Sequence, residues 1–232
     1  MIATCETLGI GTGLYTPREA AHFAKLRPET FNRWFYGDTR GDRVVRPRFD
    51  PKPETRLITF VDLIQAVAVR VLRTGPKASK ITLKHIREVV RECEEQNILF
   101  PLAQEHTLFW YSNRLILKTK EELYIGVTRK IDRNQLYSGR IIEPFLKEVK
   151  FGDQDRLAHI WTPLSSPNFR VDLNDGRRFG MPTIEPGGVL VGALVDAVES
   201  EGSEESAADA FEISPEAVSL ALKYREYLQS AA

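Results

Sequence analysis

The side chains best suited to recognition chemistry lie in a short segment that also begins like a helix. Asparagine can pair with adenine and arginine with guanine through two hydrogen bonds, and both residue types occur between Pro28 and Trp34. If Phe31 and Trp34 anchor this segment in a core, its polar side chains face solvent. The candidates for contacts with DNA bases are Arg27, Glu29, Thr30, Asn32 and Arg33.

A basic segment rich in glycine and proline follows, between Asp38 and Arg56. Its composition, around Val44 and Val45, predicts a β-hairpin or wing. The arginines of a wing would hold phosphates, which adds affinity and salt dependence but no sequence information. These candidates are Arg40, Arg43, Arg46 and Arg48.

Helix-start signals place both sets of side chains. Thr16, Pro17 and Glu19 predict a capping box at the start of a first helix. Pro28 starts a second helix after a tight turn, and Gly37 ends it. Two short helices joined in this way form a helix-turn-helix.

Two further helices are predicted before residue 100. Thr59 with Asp62 in the capping-box position starts a third helix, which runs to Gly75. Thr82 starts a fourth, in which Cys93 belongs to the buried face. The remaining buried positions of that helix are Leu83, Ile86, Val89 and Val90.

Residues 100–164 change to short strand-like runs separated by turn residues. The runs are 108–111, 115–117, 123–127 and 157–161, with a hairpin turn at 151–156. They predict one small antiparallel sheet whose aromatic side chains form core.

The last third of the chain again has a helical pattern. A boundary is expected at 165–168, followed by helices at 189–199, 204–211 and 215–228. Ser203 and Ser214 would cap the second and third of these.

The predicted fold class is mainly α with a small β part, that is α+β. Its parts are a leader at 1–13, a winged helix-turn-helix domain at 14–99, a β-rich linker domain at 100–164 and a tri-helical domain at 165–232.

The net charge of zero hides two opposite ends. Residues 165–232 carry 5 Lys and Arg against 12 Asp and Glu, a net charge of −7, and residues 1–164 therefore carry +7. Such asymmetry suggests different partners for the two ends. No apolar run is long enough for a membrane span, and Cys5 and Cys93 form no metal or redox motif. A reducing cytoplasm is the expected location.

The first part resembles a known family of DNA-binding proteins. The run from Tyr15 to Arg33-Trp34, continued by 59–63 and 81–87, resembles the winged helix-turn-helix of MerR-type regulators. There are two departures from the pattern: Lys25 stands where the turn usually has glycine, and Arg27 where a serine usually caps the second helix.

The last part resembles a second family. The runs 169–172, 178–182 and 214–218 resemble the domain of unknown function 433, which is treated as a VapB-like antitoxin domain. Paired with a MerR-like start, it implies an antitoxin whose partner is a PIN-domain ribonuclease toxin. Residues 187–191 lack the family's usual arginine and proline, so a contact through that arginine is not carried over.

The resemblance implies a toxin-binding surface at the acidic end. An antitoxin can place a cation among the carboxylates of the nuclease, and we take Arg177 or Arg178 as that cation. Acidic side chains can dock on a basic surface. The toxin-binding candidates are Arg170, Arg177, Arg178, Glu204, Glu205, Asp209 and Arg225.

We therefore expect a homodimeric antitoxin that binds its own double-stranded operator DNA and its toxin. One alternative is a stand-alone MerR-like regulator that senses a small ligand through residues 100–164. Another is an adaptor that binds proteins only. The four histidines are isolated in sequence and no nucleophile motif occurs, so we expect no enzymatic activity, metal or cofactor.

Overall fold

Hydroxyl caps and proline set where the helices begin. The computed structural model describes residues 14–39, 41–49, 56–74, 81–105, 107–111, 114–118, 124–125 and 148–230. The predicted leader and Arg40 lie outside them. The helices of the described part are α1 (Pro17–Phe23), α2 (Pro28–Tyr36), α3 (Phe60–Thr74), α4 (Leu83–Glu95), α5 (Val191–Glu201), α6 (Glu204–Ala210) and α7 (Pro215–Gln229). None of them is long and apolar enough to cross a bilayer.

The predicted helix starts are confirmed by the caps. The Thr16 hydroxyl accepts the Glu19 amide at 3.2 Å, and the Glu19 carboxylate accepts the Thr16 amide at 2.8 Å. Thr59 and Asp62 make the same reciprocal pair, at 3.2 and 3.0 Å. These pairs satisfy amides that the first turn of a helix leaves without partners. Hydroxyls also cap α4, α6 and α7, from Thr82, Ser203 and Ser214.

The turn between α1 and α2 shows the effect of the two sequence departures. Lys25 adopts a left-handed φ of 53°, a conformation that glycine adopts without cost. Arg27 stands before α2 in extended conformation, and its side chain makes no cap hydrogen bond. Helix α2 therefore begins on Pro28 and on the packing of its apolar face.

The described residues also form three antiparallel sheets, and the fold is α+β as predicted. The short strands β1 (Leu14–Tyr15) and β2 (Ile58–Thr59) pair with each other. A second sheet has the order β3-β4-β5, and the largest has the order β10-β9-β8-β7-β6. The remaining strands are β3 (Thr107–Tyr111), β4 (Arg114–Lys118), β5 (Tyr124–Ile125), β6 (Val149–Phe151), β7 (Ala158–Ser165), β8 (Arg170–Asn174), β9 (Thr183–Glu185) and β10 (Val189–Leu190).

The boundary expected at 165–168 lies inside the largest sheet. Strands β7 and β8 pair on either side of it, with Ser165 opposite Arg170, and Ser166 bonds back to Phe169. The strands expected to form a single small sheet within 100–164 belong instead to two different sheets. The second of these sheets continues to Leu190. A Ser-Ser-Pro-Asn run is typical of linkers and of hairpin turns alike. Only the pairing of the flanking strands distinguishes them.

Helix α3 is the centre of the core. Every residue from Phe60 to Val69 is buried, and the helix contacts α1, β7 and the turn at Pro101–Ala103. Its buried carboxylate, Asp62, accepts the backbone amides of Thr59 and Arg48. Burial raises the pKa of Asp62 to about 6, although these hydrogen bonds oppose the shift.

Long-range contacts of Tyr15 and Lys25 join the N-terminal part of the chain to the C-terminal unit. The hydroxyl of Tyr15 donates to the carbonyl of Gly180 at 2.7 Å. The ammonium of Lys25, in the α1–α2 turn, lies 3.7 Å from the centre of the Tyr227 ring and donates to Ser230 at 3.1 Å. One hydrophobic cluster accordingly runs from Tyr15 to Leu228.

Trp34 provides a test of the predicted core face of α2. It is 4% exposed, beside the stacked rings of Phe31 and Phe35. Trp34→Ala should lower the free energy of unfolding by about 3–5 kcal/mol, because it leaves a large cavity. Denaturant unfolding followed by circular dichroism measures this. Trp34→Phe should cost clearly less, and equal losses for the two variants would contradict the packing role.

Candidate functional site

The exposed side of α2 gathers most of the predicted base-contacting side chains. Its opposite side is fixed in the core by Phe31, Trp34 and Phe35. The polar side lines a groove of about 380 Å³, and the groove residues are Glu29, Thr30, Asn32, Arg33, Gly37 and Asp38. Arg27 lies exposed just before the helix. The structure thus brings together four of the five candidates along one helix face.

Asn32 has hydrogen-bonding capacity left over in this groove. Its side-chain oxygen is buried and has no hydrogen-bond partner within the described part of the chain. A buried polar atom without a partner is costly, and this oxygen becomes available to a base only when the Asn32 side chain turns outward. Arg33 beside it is half-buried. Together they can offer the paired contacts that adenine and guanine edges accept.

The wing expected after α2 is reduced to one tight turn in the described residues. Asp38 and Gly41 exchange backbone hydrogen bonds at 3.0 and 3.2 Å, and residues 42–49 form no strand. The amides of Val44 and Val45 both bond to the carbonyl of Trp34. In the described residues the segment folds back on α2 and pairs with itself only at Asp38 and Gly41. Arg40 and residues 50–55 of the predicted wing lie outside the described part, so the hairpin stays a prediction.

The arginines of this segment consequently have different surroundings. Arg43 and Arg46 are exposed, as phosphate contacts would require. Arg48 is half-buried, and its backbone is held by Asp62.

A second groove joins the predicted Arg43 to three arginines that were not predicted, Arg56, Arg87 and Arg91. It encloses about 630 Å³ between the end of α2, the turn after it and α4. Its basic lining residues are Arg43, Arg56, Arg87 and Arg91. Arg87 donates to the carbonyl of Asp42 at 2.9 Å, and the Arg56 guanidinium lies 4.3 Å from the centre of the Tyr36 ring. The spacing of Arg87 and Arg91 on the outer side of an amphipathic helix could have revealed them.

Most of the predicted toxin-binding arginines are paired within the C-terminal unit. Arg170 contacts Asp172 at 2.8 Å, and Arg177 contacts Glu185 at 3.5 Å. Arg225 contacts Glu199 at 2.7 Å across α5 and α7. These contacts engage the three arginines, although the Arg177 side chain remains 66% exposed and an exposed pair of this kind contributes little.

Arg178 differs, because it stands in a protruding turn. Arg178 and Phe179 adopt left-handed φ values of 47° and 55°. The Phe179 side chain is 72% exposed and Met181 follows at 36%. Arg178 itself is exposed. A cation beside an exposed aromatic ring is a typical protein-docking element.

The predicted acidic candidates lie on α6. Glu204 and Glu205 occupy its first turn, where carboxylates are favoured by the helix dipole. Glu205 and Asp209 are exposed, whereas Glu204 is half-buried. The first two residues thus have a local structural reason to be acidic.

His159 is isolated in sequence but lies between two carboxylates in the fold. Its Nδ1 is 2.7 Å from Asp175, and its Nε2 is 3.0 Å from Asp155. Only the doubly protonated ring can donate to both partners. Burial lowers the pKa of His159, but attraction to Asp175 and Asp155 outweighs this and raises it above 6.5. No group of three or more His, Cys, Asp or Glu in the described ranges is arranged to hold a metal ion.

Comparison with known proteins supports the fold alone. No family model and no curated protein matches the chain. The structure is similar to the crystal structure of Rv2018 from Mycobacterium tuberculosis, with a TM-score of 0.61 and 18% sequence identity. The similarity covers 90% of this chain and 96% of that one. A likeness at this identity carries no information on activity.

The His159 cluster predicts a pH-dependent stability. Because the folded-state pKa is raised, the stabilisation is fully present below 6.5 and is lost as the pH rises through the folded-state value. The free energy of unfolding should therefore fall across that window. Denaturant titrations over a pH series measure this. In His159→Gln the same step should be absent, and a step of equal size in this variant would contradict the assignment.

Proposed function

We propose that this chain is a DNA-binding antitoxin: it represses its own operon and neutralises a PIN-domain ribonuclease by binding it. The observation that carries the DNA-binding part is the groove along α2, where Thr30, Asn32 and Arg33 lie together on the solvent side. The proposal places the protein in the cytoplasm, where its operator is.

The geometry of the α1–α2 pair supports major-groove recognition. In helix-turn-helix proteins the second helix enters the major groove and contacts bases through its first turns. Helix α2 buries its apolar face, and Glu29, Thr30, Asn32 and Arg33 occupy its first two turns. The exposed Arg43 and Arg46 flank Val44 and Val45, whose amides bond to the Trp34 carbonyl in the last turn of α2. We propose a homodimer, since two-fold operators match two-fold proteins.

The partner part of the proposal depends on the two resemblances and on the Arg178–Phe179 turn. A nuclease that holds its metal with carboxylates presents an acidic cleft. An exposed guanidinium next to an exposed ring fits such a cleft better than a cation already paired with a neighbour. We therefore assign the inhibitory contact to Arg178, with Phe179 as its apolar anchor, and not to Arg177.

The DNA-binding part predicts a loss of sequence discrimination. The binding sequence is first selected from a pool of random duplexes with the full-length chain. Asn32→Ala or Arg33→Ala should then weaken binding to the selected duplex by about 5- to 150-fold, the value of one paired base contact. Binding to a scrambled duplex should change far less. Failure to select any sequence, or equal losses on both duplexes, would contradict base recognition by α2.

The partner part is tested by co-expression with the product of the neighbouring reading frame. A stoichiometric complex that relieves growth arrest is the expected result. Arg178→Gln should abolish the relief, whereas the matched variant Arg177→Gln, with the same charge change, should retain most of it. Absence of any complex, with specific DNA binding intact, would favour the stand-alone regulator. Equal effects of the two variants would contradict the role given to Arg178.

A further inference from the structure

The α2 groove and the second groove meet at one point of the chain. Both are lined by Gly37 and Asp38. A path along the surface therefore leads from Arg33 on α2, across the turn at 38–41, to Arg87 and Arg91 on α4. Only a short tight turn therefore separates the two grooves along the chain.

We propose that the second groove binds the phosphodiester backbone of duplex DNA, through Arg43 and the two arginines of α4. This inference rests on the proposed function, since the backbone must continue from the bases that α2 contacts. It assigns to α4 the phosphate contacts that the sequence analysis gave to a wing. Residues 42–49 of the predicted wing form no strand in the described part of the chain.

The arginines of the groove are positioned for such contacts. The bond from Arg87 Nε to the carbonyl of Asp42 fixes the guanidinium, and its terminal amines remain for other partners. Arg91 is 3.7 Å from the Asp42 carboxylate, with 63% of its side chain exposed. An exposed pair of this kind contributes little, so a phosphate can compete for Arg91. Arg43 is exposed at the opposite wall.

Gly37 keeps the junction open. Its φ of 73° is left-handed, and a Cβ there would lie 3.1 Å from the Gly41 carbonyl oxygen and 3.2 Å from the Arg43 amide. Any larger residue would press on backbone that cannot move away easily. The close approach of α2 and the turn, which joins the two grooves, therefore requires glycine.

The acidic residues of the lining reduce the net positive charge of the second groove. Asp38, Asp42 and Glu94 contribute three carboxylates against four arginines. A free multivalent anion would meet this mixed charge at close range. A duplex backbone, which presents regularly spaced phosphates over an extended length, can contact the exposed arginines without entering the acidic part. We therefore infer DNA, and not a small free anion, as the occupant.

The test compares salt dependence among full-length variants. A short labelled duplex of random sequence is titrated over a series of salt concentrations, followed by fluorescence anisotropy. The slope of log K against log salt is negative, and each lost phosphate contact makes it less negative by about 0.9. Arg87→Gln combined with Arg91→Gln should therefore make it less negative by about 1.8, the sum of two such contacts.

The control and the rescue separate charge from structure. Lys223→Gln removes an exposed cation from α7 and should leave the slope unchanged. Arg91→Lys keeps the charge and should retain the wild-type slope. Thermal unfolding verifies that the variants fold.

The outcomes distinguish this inference from the function it rests on. If the wild-type chain binds no duplex, the groove inference and the proposed DNA-binding function are both contradicted. If it binds, but the double variant has the slope of Lys223→Gln, the groove inference is wrong and base recognition by α2 can stand. If inorganic phosphate alone saturates the wild-type groove while the variants leave the DNA slope unchanged, the groove is a small-anion site and the inference is overturned.

Discussion

The hydrogen bond from Tyr15 to Gly180 is the constraint that makes the two ends of the chain one structure. Tyr15 is 1% exposed and its ring packs edge-on against Phe23. Burial, helped by the nearby Asp175 carboxylate, raises the pKa of its hydroxyl. The hydroxyl therefore stays protonated and remains a donor. Removing it would leave the buried Gly180 carbonyl without this partner, which is a cost that a surface contact does not carry.

This bond also connects the two proposed binding surfaces. Tyr15 immediately precedes Thr16, the cap of α1, so it fixes where the first helix begins. Gly180 immediately follows Phe179, so it fixes the base of the protruding turn. The contact of Lys25 with Tyr227 adds a second tie at the turn between α1 and α2. A partner that displaced the Arg178–Phe179 turn would thus act on the same buried bond that positions α1.

Local signals in the sequence were sufficient for the helices and insufficient for the sheet. Capping pairs such as Thr59 with Asp62 act within one turn, so spacing alone predicts them, and the helix starts were confirmed. Sheet continuity depends on whether neighbouring strands pair, which turn residues alone do not decide. The pairing of β7 with β8 across Ser165 could not be distinguished from a linker, because both need turn residues.

The candidate sites follow the same division. Helical spacing predicted that the polar side chains of α2 would share one face, and they line one groove. Residues 42–49 pack back onto α2 because the carbonyl of Trp34 accepts two of their amides. The amino-acid composition of the segment does not predict these hydrogen bonds. His159 gained its carboxylate partners from two different turns, and the groove arginines of α4 became relevant only when the turn at 38–41 packed beside them.

The ion pairs of the C-terminal unit alter how the charge asymmetry of the sequence is interpreted. Of the five cations after Ser165, three are engaged with carboxylates of the same unit. Each such pair removes one positive and one negative charge from what a partner encounters, and the excess of carboxylates remains. Under the proposed function, a partner of this end would have to tolerate acidic surroundings and accept the exposed Arg178 and Phe179. A surface with a basic rim around an acidic, partly apolar cleft would satisfy both requirements. A uniformly basic surface, which docking by charge attraction alone would need, would not satisfy both.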